Sequence, residues 1–406
     1  MRKKLILAVA VILGLAMASP VYAATLVVDD DGFASAADCD AVVATDSLIQ
    51  DAVNAAFSGD TILVCPGTYT ENVDVNTNNL TIVSTGGASV TTVDGIGAAD
   101  EVFHVAADGV MIEGFEIMNG GSDGGILFEG DNNVFANNVI HGNSLYGIVA
   151  WDSGVSDNNK ITRNEIYDNV RSGILIGFYG NSGNEVTHND VHDNGSGWLG
   201  IELINGKNSS VTHNNVHGST TPFAGIYLAN WTDAVATGGN SVAHNDVDGT
   251  GGGFLVGGIT VLAWTGGGTF HGFPCSDVTN DDNAVVHNNV HDNGIGWGIA
   301  LWALPGCDSK SASVDDNTVA HNTADTNAVN GIDLIGDVDE NSVHKNTANS
   351  NSIDGIRIRA GSDNNVVHHN TANNNGDDGI ENLGTDNKCF KNSASDNVDD
   401  DFVDCS

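Results

Sequence analysis

The chain has 406 residues, with 53 Asp+Glu against 13 Lys+Arg and a formal net charge of -40. That length holds two or three ordinary domains or one long solenoid, and 40% hydrophobic residues exclude a wholly disordered chain. Such acidity excludes nucleic acid and anionic membrane surfaces as general partners, because both need basic protein surface.

The N-terminus reads Met1-Arg2-Lys3-Lys4, an apolar run from Leu5 to Met17, and then Val21-Tyr22-Ala23. This is the pattern of a secretory signal peptide, with cleavage expected after Ala23. The apolar run is short for a membrane anchor, no Cys stands near the cut, and no later segment reads as a span. A secreted or periplasmic location is expected. The six cysteines follow the cut and fall in consecutive pairs: Cys39 and Cys65, Cys275 and Cys307, Cys389 and Cys405. An exported chain keeps disulfides, and in an elongated fold sequence neighbours are spatial neighbours, which favours sequential pairing. No C-x-x-C is present, so a zinc ribbon is not expected.

Next comes Ser47-Leu48-Ile49-Gln50, which reads as a capping box, with apolar residues at helical spacing over 48–57. Strand-like segments follow at Gly59-Asp60-Thr61-Ile62-Leu63-Val64 and Pro66-Gly67-Thr68-Tyr69-Thr70-Glu71. A helix leading into strands would plug the open end of a solenoid core. We place this cap at 24–70 and irregular coils at 71–120, so 24–120 forms the N-terminal region.

Over 121–397 one pattern recurs ten times: Gly-Ile-x-Φ, a variable stretch, then Asn-x-Φ-x-x-Asn-x-Φ-x-x-Asn, where Φ is apolar. The Gly-Ile element starts at Gly125, Gly147, Gly173, Gly200, Gly225, Gly258, Gly298, Gly331, Gly355 and Gly379. The central Asn stands in every copy, at Asn138, Asn164, Asn189, Asn214, Asn245, Asn288, Asn322, Asn346, Asn370 and Asn392. Ser209 replaces one first Asn, and Ser219 and Thr250 replace two third ones. Apolar alternation of period two means strands, and Asn and Gly tolerate the left-handed backbone of sharp turns. Three short strands per coil, stacked coil on coil, make an all-β parallel β-helix with an N-terminal capping helix. The Leu-dense consensus of a leucine-rich repeat is absent. An acidic tail, 398–406, ends the chain.

On these residues the chain resembles the right-handed parallel β-helix proteins of the pectin-lyase-like superfamily. The short Asn and Gly-Ile repeat resembles that of NosD-like periplasmic proteins. Right-handedness is what the resemblance implies, and it is also the general expectation for crossovers between parallel strands. The cap region is similar to the start of pectin methylesterases, but the Gln/Asp/Asp/Arg motifs of esterase chemistry have no clear counterpart downstream.

Aligned copies turn the sequence into columns. The residue before the central Asn runs Asn137, Arg163, His188, His213, His244, His287, His321, Lys345, His369, Lys391. The column reads as metal ligands, as anion donors or, preferably, as turn residues that hydrogen-bond locally and offset nearby Asp. The His-x-x-x-His pairs His188/His192, His213/His217 and His287/His291 straddle a turn, so they lack the helical zinc meaning of that spacing. The residue after Gly-Ile points outward and runs Leu127, Val149, Leu175, Glu202, Tyr227, Thr260, Ala300, Asp333, Arg357, Glu381. Arg357 between Asp333 and Glu381 reads first as an ion-pair ladder and second as a catalytic cation. Asp377-Asp378-Gly379-Ile380 superficially resembles the paired Asp of polygalacturonases, whose Gly-His-Gly and Arg-Ile-Lys motifs are missing.

All six Trp fall between residues 151 and 302, where the repeat spacing is also longest. Loops rising from a rigid solenoid are the usual place for a binding site, and flat indole faces stack on sugar rings. The candidate substrate-binding set is therefore Trp151, Trp198, Tyr227, Trp231, Trp264, Trp297 and Trp302. Glu202, Arg171 and Asp152 are the charged candidates for catalysis beside it. The insert from Thr265 to Asp282 is expected to be pinned by Cys275–Cys307. No metal ligand set is assigned. Asp-rich turns at Asp281-Asp282-Asn283, Asp337-Val338-Asp339-Glu340 and Gly361-Ser362-Asp363 make Ca the one cofactor considered, and none is a complete calcium loop. The leading expectation is a secreted protein whose partner is a polysaccharide or cell-surface glycan, with lyase or hydrolase chemistry as its enzymatic form. The rivals are a non-catalytic surface, adhesion or structural repeat protein and a NosD-like periplasmic metal-maturation partner. Oligomeric state is not legible.

Overall fold

A computed structural model describes residues 23–30, 47–96, 100–150, 156–195, 199–218, 224–232, 237–249, 257–266, 275–294, 296–307 and 310–405. The expected signal peptide, Cys39, Trp151, Asp152 and Trp198 lie outside the described residues.

Each coil contributes one strand to each of three parallel sheets. Sheet A has 14 strands, from Thr25–Val28 to Lys388–Phe390. Sheet B has 10, from Gly67–Thr70 to Thr323–Asp325, and single bridges through Thr347 carry it on to Thr371. Sheet C has 13, from Val73–Val75 to Phe402–Val403, and contains the Gly-Ile elements. Strands are three to five residues long in most coils and reach eight at Gly257–Trp264 and Trp297–Leu304, within the longest repeats. Alternation sends Ile126, Ile148, Ile174, Ile201, Ile226 and their successors into one continuous core.

The Asn positions of the motif become hydrogen-bonded ladders inside the turns. Asn288 shows the unit. Its Oδ1 accepts from the Asn245 backbone N–H and from Asn245 Nδ2, both at 3.0 Å. Its Nδ2 donates to Val242 O at 2.9 Å and to Asn322 Oδ1 at 3.0 Å. Four bonds per side chain satisfy turn backbone that is sealed from water, at a net gain of about 1 kcal/mol each. The residue before each central Asn has positive φ, for example 57° at His188 and 58° at His287. The ladders tolerate inserts, since Asn245 and Asn288 are 43 residues apart and still bonded.

The cap differs from the expected one in its chemistry. The helix spans Ile49–Ala55, and no local side chain caps it. Instead the Glu71 carboxylate accepts from the Ile49 and Gln50 N–H groups, both at 2.8 Å. The helix is thus tied to the first coil from 22 residues away rather than by Ser47. Ile49, Ala52 and Val53 are buried in the same core as the coils, so the helix closes its end. Cys275–Cys307 and Cys389–Cys405 are disulfides, as expected, and Cys65 is also disulfide-bonded. No described helix is long and apolar enough to cross a membrane.

Candidate functional site

The column after Gly-Ile keeps the expected register on sheet C: Leu175 pairs with Glu202, Glu202 with Tyr227, Asp333 with Arg357 and Arg357 with Glu381. Its side chains leave the main core, but most do not reach water. Leu127, Val149, Leu175, Tyr227, Ile204 and Leu262 join a second apolar cluster on the outer face of sheet C. Trp231, Trp264 and Trp302 pack against this cluster and remain partly exposed. Trp231, Trp264 and Trp302 therefore roof a local core and present an edge to solvent.

Glu202 lies in that cluster, 3% exposed. Ser172 Oγ donates a hydrogen bond to Glu202 Oε1, and the Leu199 N–H donates to Ser172 Oγ at 3.2 Å. Burial raises the Glu202 pKa to about 7, against the bond from Ser172 and the Arg171 charge, which lower it. Arg171 Nη1 donates to the Tyr146 hydroxyl at 3.2 Å, with its guanidinium carbon 5.7 Å from the ring centre. Burial, followed by the Glu202 charge, pushes Tyr146 up to about 12. Tyr227 is 2% exposed and also shifted upward, chiefly by burial. Of the predicted catalytic residues, Glu202 and Arg171 thus meet in one electrostatic network under the aromatic roof.

Downstream, the same face opens. Phe178 and Trp231 pack at 5.5 Å, Trp231 and Trp264 at 5.8 Å, and Trp302 and Trp297 at 5.6 Å. Leu262 pairs with Trp302 across adjacent strands, so the aromatics form a strip over consecutive coils. The strip ends on charges. Arg359 lies over the Trp297 ring at 5.7 Å and grips buried Asp333 with Nε at 3.0 Å and Nη2 at 2.7 Å. Arg357 reaches Glu381 at 2.9 Å and Asp354 at 3.5 Å. Burial lifts Asp354 to about 6 and also raises Asp333 and Glu381, with the arginines opposing. The column had displayed Asp333, Arg357 and Glu381, but Asp354 and Arg359 needed three dimensions. Arg359 lies two residues beyond Arg357, outside the column.

Among the described residues, the side-chain groups able to offer three metal ligands are Asp354, Asp377, Asp378 and Asp378, Asp399, Asp400, all carboxylate. In the turns considered for Ca, Asp281, Asp339 and Asp363 each accept a backbone N–H bond, from Asp315, Asp363 and Thr385 of the next coil. The corner histidines point along the surface in a stack, from His188 and His213 at 4.8 Å to His287 and His321 at 4.8 Å. The Asp contacts expected for this column belong to a second one on sheet B, where His217 meets Asp190 at 3.0 Å and His291 meets Asp246 at 3.2 Å.

The sheets, turn ladders and solenoid core define a right-handed parallel β-helix. The family described as "right handed beta helix region" matches residues 69–258. Among solved structures, the A-module of the Azotobacter vinelandii mannuronan C-5 epimerase AlgE6 superposes with a TM-score of 0.57 at 12% identity, over 86% of this chain and 93% of that one. The A-module of AlgE4 from the same organism gives 0.55 at 14% identity, over 85% and 92%. The catalytic domain of a GH87 alpha-1,3-glucanase gives 0.55 at 14% identity, over 91% and 69%. No curated protein matches the chain in sequence.

Proposed function

We propose that this protein is an exported β-helix that binds a polysaccharide across the outer face of sheet C. One observation carries the reading: a partly exposed aromatic strip, Trp231, Trp264, Trp302 and Trp297, lies on or at the end of sheet C strands and ends at the Arg359–Asp333 and Arg357–Glu381 pairs. Sugar rings present flat C–H faces to indoles and hydroxyls to paired charges, and both partners are present at one place. The compared epimerase modules and glucanase, by their names, act on glycans with this fold, which supports the reading without fixing it. Because each arginine is already paired with a carboxylate, the face suits a neutral glycan better than a polyanion.

In this reading Glu202, Arg171 and Tyr146 hold the roof from beneath, since Glu202 is sealed from a ligand on the strip. Acid–base duty, if the ligand is also a substrate, falls to Arg357 and Glu381 at the open end, with buried Asp354 holding Arg357 from beneath. Glu381, its pKa raised by burial and opposed by the adjoining Arg357, is the group a lyase or hydrolase would use.

The test is incubation of the mature protein with a panel of neutral and uronate polysaccharides, with products read by mass spectrometry and retention by affinity electrophoresis. Retention by a neutral polymer supports the binding reading. Products that vanish in Glu381→Gln establish the enzymatic form. Neither retention nor products with any polymer refutes both and leaves the surface-protein reading.

A further inference from the structure

The outer face of sheet A is chemically unlike the rest of the molecule. The chain has 53 carboxylates, yet from the coil of Lys160 to that of Lys388 the two outward columns of this sheet hold one, Glu185. Lys160 neutralises it at 2.8 Å. The remaining positions are hydroxyls, small apolar residues, His344, His368, Phe390 and Lys388. Along the edge of this face runs the exposed corner column, cationic or cationisable from Arg163 to Lys391. The backbone does not require those side chains. The two preceding coils place Gly114 and Asn137 there with φ of 81° and 54°, and later coils put His, Lys or Arg at φ near 57°. A groove of about 360 Å³ opens on this face, lined among others by Lys160, Thr162, Arg163, Thr187, His188 and His213.

We propose that this seam is a second binding site, for a linear carboxylated glycan lying along the solenoid axis, and that protonation of the stacked histidines switches it on. The coil rise of about 4.8 Å is close to the advance of one sugar residue along an extended chain, so one carboxylate can meet one corner cation per coil. The stack explains the switch. Rings 4.8–5.0 Å apart from His188 to His321 repel one another when charged. Desolvation, with the charges of Lys345 and His287, holds His321 below its ordinary value. A polyanion relieves that repulsion and draws protons in. Uronates keep their charge down to about pH 4, so acidification above that point charges the stack while the ligand stays anionic.

The groups facing the corner do not remove the effect. From sheet A these are the Lys160–Glu185 pair, His344 and His368. From sheet B they are Glu165, Asp190 and Asp246, each already engaged by His192, His217 or His291. The Asp ladder at the far edge of sheet A, with Asp315 and Asp339, is bonded to backbone N–H groups. The site is separate from the sheet C strip, so failure at one leaves the other standing.

The experiment is isothermal titration of the mature protein with an oligogalacturonate of six residues and with maltohexaose, at about pH 5 and about pH 7.5. The uronate should bind roughly tenfold or more tightly at the lower pH. Between these values binding should take up protons, read from buffers of different ionisation enthalpy. The triple variant His188→Asn/His213→Asn/His244→Asn keeps a side chain that this column already carries at Asn137, so it should fold and lose most of the pH dependence and of the proton uptake, His287 and His321 retaining the remainder. Trp297→Ala/Trp302→Ala should keep both. Uronate affinity that is absent or flat with pH, a triple variant binding as wild type, or maltohexaose binding that the triple variant loses would each overturn the proposal.

Discussion

Replacing Glu202 with Gln should stabilise the protein above neutral pH and leave it nearly unchanged in acid. The sign follows from where the proton sits. Folded, Glu202 keeps its proton to about pH 7 because burial penalises the charge, whereas the unfolded side chain releases it near 4.5. Between those values the native state binds more protons than the unfolded one, so stability falls as pH rises. The interval corresponds to about 3 kcal/mol at roughly 1.4 kcal/mol per pH unit. Gln has nearly the same shape, accepts the bond from Ser172 and has no charge to bury. The assay is urea unfolding followed by circular dichroism at pH 4 to 9 for both proteins. Other titrating groups cancel in the difference, which should open between about pH 4.5 and 7 and then level off. Parallel curves for the two proteins would refute the account of Glu202 as a buried acid held in the second apolar cluster.

The other expectations concern the ladders, the charged end and the insert. Asn288→Ala removes four bonds and strands Val242 O and the Asn245 donors, so it should cost roughly 3 kcal/mol, read as a lower urea midpoint. Arg359→Ala should destabilise by about 3 kcal/mol and more than Asp333→Ala, because it leaves a buried carboxylate while the reverse change leaves an arginine that can reach water. Cys275→Ser/Cys307→Ser should speed amide exchange around Val278–Thr279 and Ala312–Ser313 without lowering protection in Ile332–Ile335, because the bridge pins an insert rather than the coils.

The repeat made the coils legible because each Asn of the pattern has a physical duty. Period-two apolarity set the strands, and the Asn columns marked the turns whose backbone they satisfy. The same arithmetic put Glu202 beside Tyr227 and Arg357 beside Glu381, as the register confirms. It did not say that the outer face of sheet C is itself buried, because burial there depends on long-range packing between coils. The helix cap was misread for a related reason: Ser47 is local, whereas Glu71 approaches only once the first coil has closed. Arg359 gripping Asp333 was hidden because the two lie on different coils, with Arg359 just past the end of its strand Ile356–Ile358. The histidine column was read from sequence as offsetting Asp, but that role belongs to its neighbour on sheet B, and the difference appears only when the carboxylates of each face are placed.

The most direct test of glycan binding on sheet C is a tryptophan fluorescence titration of the mature protein with the polymer best retained in affinity electrophoresis, repeated on Trp297→Ala/Trp302→Ala. A saturable change in emission that the double variant loses, with its circular dichroism intact, is the expected result. Binding of equal affinity by the double variant would contradict the assignment of the strip as the binding face.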